Sequence, residues 1–202
     1  MQLHLIRHPR PDVAPGICYG QTDVSLAECP ATVAGRLRPL LPESFALHAS
    51  PLSRARLLAE ALGKPRLDDR LKEIHFGDWE GRSFDDIGAA IDDWAADPLG
   101  FRAPGGESPR EMAARVLAWL AEHGVTAGNR GQTPISSEIG VCPLFRHPEH
   151  LVVVAHGGPL RAIAGHLLGM PPERWLGLDF GCGQVTRIDV ESWGVVLKWF
   201  NR

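Results

Sequence analysis

The chain lacks any apolar run near the roughly 18 residues that a membrane-spanning helix needs, so no membrane association is expected. Its first residues hold no basic segment leading into an apolar one, which excludes a secretory signal and makes the cytoplasm the default compartment. Charge of either sign is not in surplus: 21 Lys and Arg face 24 Asp and Glu, for a net charge of -3. A basic footprint for nucleic acid is therefore absent. Cysteine is sparse as well. Cys18, Cys29, Cys142 and Cys182 are widely and irregularly spaced, with no C-x-x-C pair, which argues against a zinc knuckle or a disulfide framework. Nine histidines show neither an H-x-H nor an HExxH spacing, and the close pair His147 and His150 lies in a polar stretch. No metal and no cofactor are expected.

What remains is an ordinary soluble composition, 44% hydrophobic and 22% charged over 202 residues, enough for one buried core. The whole chain, 1–202, is read as a single domain. The organising stretch is its start, MQLHLIRH. Leu3, Leu5 and Ile6 mark a buried strand that stops at Arg7 and His8, because Pro9 and Pro11 forbid a regular continuation. LVVVAH, 151–156, repeats the device as a central strand ending in His156, followed by Gly157, Gly158 and a helix that closes at Gly169. A third strand, FALHAS at 45–50, leads into SPLSRARLLAEALG. Ser50 is expected as the helix cap, with Pro51 at the first helical position and Arg54 in the first turn. Taken alone, Arg54 and Arg56 read as solvated helix charges.

Between these elements lies LKEIHFGDWEG, where Glu73 and Glu80 are acids in an aromatic setting that suits proton transfer, and Asp78 reads as exposed. The loop PRPDVAPGICYGQTD offers backbone N–H groups near Gly16, Gly20 and Gln21 to an anion. Helices are expected over 30–41, over 83–94, and after Ser108, which forms a capping box with Glu111. Gly105-Gly106 reads as an anion nest. TRIDVES and GVVLKWFNR read as a closing hairpin. Residues 124–149 show no periodicity and are taken as an irregular surface insertion. Strands that alternate with helices indicate an α/β fold: three layers, α/β/α, around a mostly parallel mixed sheet.

Two arginines and two imidazoles at strand ends suit a phosphoryl group, a dianion whose oxygens planar guanidiniums bind in pairs. His8 reads as the nucleophile, Arg7 and Arg54 as clamps, and Glu73 or Glu80 as the acid that protonates the leaving oxygen. LIRH, SPLSRA, LKEIHFGDWEG and VVVAHGG, in this order, together resemble the histidine phosphatase superfamily, also called phosphoglycerate mutase-like. The resemblance implies a phosphate pocket at the end of a mixed sheet. It makes His8 the phosphorylated nucleophile and Arg7, Arg54 and His156 its phosphate ligands. Glu73 becomes the proton donor and Glu80 a secondary acid; Gly20, Gln21 and Gly157 are counted with the phosphate-binding backbone. The chain departs from the family pattern at Pro9, where glycine is usual, and lacks the family's asparagine shortly afterwards. Activity is expected to survive with altered positioning of the substrate.

Within the family, ICYGQTDVSL and the small size resemble the α-ribazole phosphatase branch, which implies α-ribazole 5′-phosphate and the assembly of the cobalamin nucleotide loop. Alternatives are a broad-specificity sugar-phosphate or nucleotide phosphatase and a weakly active phospho-ligand binding module. The expected partner is a small phosphomonoester, with neither nucleic acid nor membrane. The oligomeric state is left open, a homodimer being one option.

Overall fold

Gln2–Arg7 forms β1 at the heart of a six-stranded sheet in the computed structural model, which describes residues 1–125 and 148–202. The strands are β2 (Ala46–Ala49), β3 (Arg66–Leu67), β4 (His150–Ala155), β5 (Val185–Glu191) and β6 (Gly194–Trp199), in the order β3-β2-β4-β1-β5-β6. The first four positions of that order run parallel, while β5 and β6 close one edge as an antiparallel hairpin. The expected mixed, mostly parallel sheet is therefore present.

Alternating side chains sort the core into two layers. Leu3, Leu5, Leu151 and Val153 face α5 (Pro109–Glu122) and α6 (Gly157–Leu167). Ile6, Val152 and Val154 face α1 (Pro30–Leu37) and α2 (Ser53–Leu62). A smaller cluster of Cys18, Trp79, Ile87 and Ala103 builds a lobe beside the sheet's carboxyl edge, carrying the short helices α3 (Phe84–Ile87) and α4 (Ala90–Ala96). The capping box at Ser108 and Glu111 forms as expected. Among the described residues no helix is long and apolar enough to cross a membrane.

Four local expectations are corrected. The helix expected over 30–41 is helical only to Leu37 and tightens into a 3-10 turn at Arg38–Leu40, because Pro39 cannot donate its backbone hydrogen bond. The helix over 83–94 is broken at Gly88, whose φ of 62° reverses the chain, so Phe84 is left exposed while Ile87 is buried. The cap of α2 is Leu52 rather than Ser50, since the Ser50 hydroxyl is held elsewhere. Gly105-Gly106 is a packing turn: the Gly106 N–H donates to Ala103 O, and a Cβ on Gly106 would lie 2.5 Å from His75 O. The insertion expected at 124–149 lies outside the described residues except at its ends, as does His147 of the close histidine pair.

Candidate active site

Register explains why the two strand-end histidines meet. β1 and β4 are adjacent parallel strands, and Arg7 pairs with Ala155. The residues that follow, His8 and His156, therefore leave the sheet side by side, with ring centroids 5.1 Å apart. The His8 N–H donates to Ala155 O at 3.0 Å. On the far side of β4, the Ser50 N–H donates to Val154 O at 3.0 Å and brings the end of β2 to the same edge. The order of the sheet reverses direction around β4, and the carboxyl edge at such a switch point is where open α/β sheets bind ligands. His4, in H-x-x-x-H spacing with His8, lies on the strand rather than a helix, so the chain carries it about 13 Å back along β1.

Hydrogen bonds fix both tautomers. His8 Nδ1–H donates to Pro9 O at 2.7 Å, so Nε2 carries the lone pair. His156 Nδ1 accepts from Arg54 Nε–H at 3.2 Å, and His156 Nε2–H donates to Ser50 Oγ at 2.8 Å. Both rings are neutral. Burial, joined by the Arg54 and Arg7 charges and opposed by the Pro9 bond, lowers the His8 pKa to about 3. Burial again, with His8, Arg54 and Arg7 nearby, holds His156 well below the usual imidazole range. Pro9, the departure from the family pattern, thus supplies the carbonyl that orients the His8 ring. Both nitrogens of His156 are engaged by protein, so here it positions Arg54 and Ser50 rather than presenting a free donor to an anion.

Arg54 is 0% exposed, which overturns its reading as a solvated charge; Arg56, paired with Glu60 on the surface, keeps it. The Arg54 guanidinium donates to His156, to Thr22 O at 2.9 Å and to Gly20 O. Its direct partners are all neutral, so a buried positive charge is left for an anion to balance. Arg7 Nη1–H donates to Phe180 O at 2.6 Å, while its Nε is buried without a partner. Gly157 and Gly158 open α6, and the Gly158 N–H donates to both Glu73 carboxylate oxygens at 3.2 Å.

The two candidate acids separate clearly. Glu80 accepts from the N–H groups of Gln21, Thr22 and Phe76 and from the Thr22 hydroxyl. Burial pushes its carboxyl up, but the Thr22 hydroxyl and those N–H groups together hold it below the usual range. It is a structural acid that ties the 20–22 loop to the 73–80 segment. Glu73 instead faces the open cleft with His8, Arg7 and Tyr19. The Gln21 N–H is taken by Glu80 and its side chain donates to Glu73 O at 3.1 Å, so Gln21 builds the wall and does not offer that N–H to an anion. Gly20 is pressed against the same segment: a Cβ there would lie 2.1 Å from Ile74 O. Gly20→Ala is expected to destabilise the fold by about 2 kcal/mol or more and to weaken the Arg54 anchor. An unchanged urea midpoint for that variant would refute the close approach.

Several site residues escaped sequence reasoning. Arg115 of α5 donates to the carbonyls of Arg70, Lys72 and Glu73 and pairs with Glu107, which clamps the segment bearing Glu73. Tyr19 lies under Arg54, with Cζ 5.4 Å from the ring centroid, and Arg161 of α6 lines the cleft beside Arg7. The cleft encloses about 700 Å³, and Phe84, Trp94, Leu99, Pro172, Trp175 and Leu176 are among the residues that line it.

A doubly wound sheet whose carboxyl edge gathers two neutral imidazoles, several guanidiniums and a carboxylate defines an α/β enzyme that handles phosphate. The chain belongs to the histidine phosphatase superfamily (branch 1), whose model matches residues 3–136 and 144–202. A glucosyl-3-phosphoglycerate phosphatase of Mycobacterium tuberculosis is 31% identical over 202 residues, spanning 92% of this chain and 82% of that protein. Among solved structures, the α-ribazole phosphatase from Shigella flexneri superposes with a TM-score of 0.80 at 25% identity, covering 100% of this chain and 96% of that one. The native structure of mycobacterial glucosyl-3-phosphoglycerate phosphatase gives 0.76 at 26% identity, covering 99% and 98%. The superfamily resemblance carried by the four motifs is thereby borne out, and the protein is a phosphatase.

Proposed function

We propose that the protein hydrolyses a phosphomonoester through a covalent phosphohistidine at His8, with α-ribazole 5′-phosphate as its substrate. The free Nε2 of His8 attacks phosphorus in line; the N–P bond forms as the bond from phosphorus to the ester oxygen breaks. Glu73, protonated when the ester binds, gives its proton to the leaving oxygen; the carboxylate so formed takes one back from the water that attacks phosphorus and breaks the N–P bond. Products are the alcohol and inorganic phosphate. Arg7 and Arg54 hold the equatorial oxygens while charge redistributes over them. No step in this scheme calls on a metal.

The observation that carries the substrate assignment is the apolar, aromatic part of the cleft lining. Its walls of Phe84, Trp94, Leu99, Leu117 and Trp175 suit a flat apolar heterocycle better than a sugar, whose hydroxyls would find few partners there. The likeness to an α-ribazole phosphatase structure supports the same choice. A second reading, glucosyl-3-phosphoglycerate, draws on the mycobacterial relative and on Arg110, which stands on the cleft wall where a carboxylate could meet it. The test is kcat/KM for both esters and for p-nitrophenyl phosphate, with chelator present. A preference of about a thousandfold for the ribazole ester, about 4 kcal/mol of differential transition-state binding, is expected. A comparable preference for the glucosyl ester would replace the substrate and keep the mechanism.

Glu73→Gln keeps the shape and loses the proton. It is expected to slow alkyl esters by about a hundredfold to a thousandfold, within the range for general acid catalysis. p-Nitrophenyl phosphate, whose leaving group needs no protonation, is expected to suffer far less in the phosphorylation step. Equal losses on both substrates, measured by burst kinetics, would remove Glu73 from the acid role.

A further inference from the structure

We propose that Arg161 is a catalytic residue, a third guanidinium that binds the transferring phosphoryl group beside Arg7. The proposal rests on the phosphohistidine reading above.

Arg161 sits one turn into α6, after the two glycines that follow His156. A Cβ built on Gly157 would lie 3.4 Å from Arg161 Nη1 and 3.7 Å from Arg7 Cζ, so both guanidiniums flank the same α-carbon. A side chain there would make ordinary van der Waals contact with both guanidiniums, so the two cations share one site at the helix start. Both are anchored to one loop by neutral acceptors. Arg161 Nε–H donates to Leu178 O at 2.8 Å, and Arg7 Nη1–H donates to Phe180 O at 2.6 Å. These carbonyls are two residues apart, and both arginines line the cleft that also holds His8 and Glu73.

The charge arrangement is what a merely structural arginine would avoid. Among the described residues the one carboxylate within 4.0 Å of Arg161 is Asp179, 3.8 Å from Nη2 on a side chain 90% exposed, a pairing that water largely screens. Among the described residues neither guanidinium has a hydrogen bond to a carboxylate, and holding two cations side by side in that state is unfavourable unless an anion joins them. Arg7 Nε is buried and has no hydrogen-bond partner, so this guanidinium too keeps a donor for an anion. Glu73 offsets part of the positive charge felt by both Arg54 and Arg161. A third guanidinium restores the excess that a phosphoryl dianion requires. Planar forks are also the right shape for two equatorial oxygens at once.

The competing role for Arg161 is to fix the Leu178 loop and, through it, Trp175 and Leu176 of the cleft lining. The two roles differ on a ligand with no leaving group. Inorganic phosphate binding is measured by calorimetry on the wild type, Arg161→Gln and Arg161→Lys, alongside kcat and KM for the ribazole ester. A phosphate ligand predicts at least about tenfold weaker phosphate binding in Arg161→Gln and a kcat/KM lower by about a hundredfold to a thousandfold, the range for losing one charge-stabilising donor. Arg161→Lys should fall between, because it keeps the charge and loses the fork. Phosphate affinity within twofold of wild type in Arg161→Gln, with KM for the bulky ester alone raised, overturns the proposal in favour of the loop anchor. If Arg161→Gln does not fold, Arg161→Lys decides: wild-type phosphate affinity and kcat in that variant overturn it equally. A wild-type protein that neither binds phosphate nor hydrolyses any ester overturns both this inference and the reading beneath it.

Discussion

Replacing His8 by alanine is expected to lower kcat/KM for any phosphomonoester by at least about ten-thousandfold, about 5 kcal/mol of transition-state stabilisation. The size follows from what the ring does. It lines the cleft with Nδ1 locked to Pro9 O, which leaves the lone pair on Nε2. Burial keeps it neutral, with a pKa of about 3, so the ring we propose as nucleophile keeps its lone pair at every pH where the fold persists. No neighbour can substitute: both nitrogens of His156 are occupied by Arg54 and Ser50. Acid-labile, base-stable phosphate should be trapped on the wild type after quenching and be missing from His8→Ala. A His8→Ala enzyme within tenfold of wild type would sink the covalent mechanism. Tight phosphate binding with no trapped phosphate and no turnover would instead support the binding-module alternative. Pro9→Gly tests the orientation of the ring. It should leave activity within about a hundredfold, since the carbonyl at that position is present with either residue.

The positions of His8 and His156 were legible in the sequence because the forces that place them are local. Runs such as LHLI and LVVVA are buried on both sides of the sheet, and Pro9 or a glycine pair marks where each stops. That the two ends lie side by side depends on the β1–β4 register, which no single stretch encodes. Arg54 shows the limit. Helical periodicity places it near the start of α2, yet its burial comes from three acceptors contributed by the Gly20–Thr22 loop and by His156, 32 to 102 residues away. Arg115 and Arg161 were missed for the same reason: a cation on an amphipathic helix is usually solvated, and only tertiary contacts turn it inward. The 83–94 helix failed because its apolar spacing runs smoothly through Gly88, while the backbone there uses the freedom that only glycine has. Glu73 and Glu80 were equivalent by composition; the motif resemblance favoured Glu73. The hydrogen bonds give a physical reason, since Glu80 is saturated by donors and Glu73 is not.

Acid should unfold this protein well before it titrates the His8 ring. His4, His8, His48 and His156 are all buried, between 0% and 5% exposed. Burial, the largest cause in each case, lowers His4 to about 4, His8 to about 3 and His48 to about 4, with His156 also far down. In the unfolded chain the same rings return to about 6.5. Below that value the unfolded state binds protons that the folded state refuses. Stability is therefore complete above about pH 6.5 and falls as pH drops toward about 4. Each histidine removes about 2 kcal/mol by pH 5, so four remove up to about 8 kcal/mol, comparable to the whole stability of a typical domain. Urea unfolding at pH 7.5 and pH 5.0 should show a loss of several kcal/mol; a loss below about 2 kcal/mol would mean that the folded protein admits these protons after all. His48→Gln isolates one contributor away from the site. His48 packs edge-on against Trp119 and His123 on the face opposite α2, so the variant should lose some stability at pH 7.5 while its dependence on pH becomes shallower. Activity lost between pH 6 and pH 5 should then follow the unfolding curve of each variant. Protonation of the His8 nucleophile would give a limb that does not move with His48→Gln, and that difference separates the two causes.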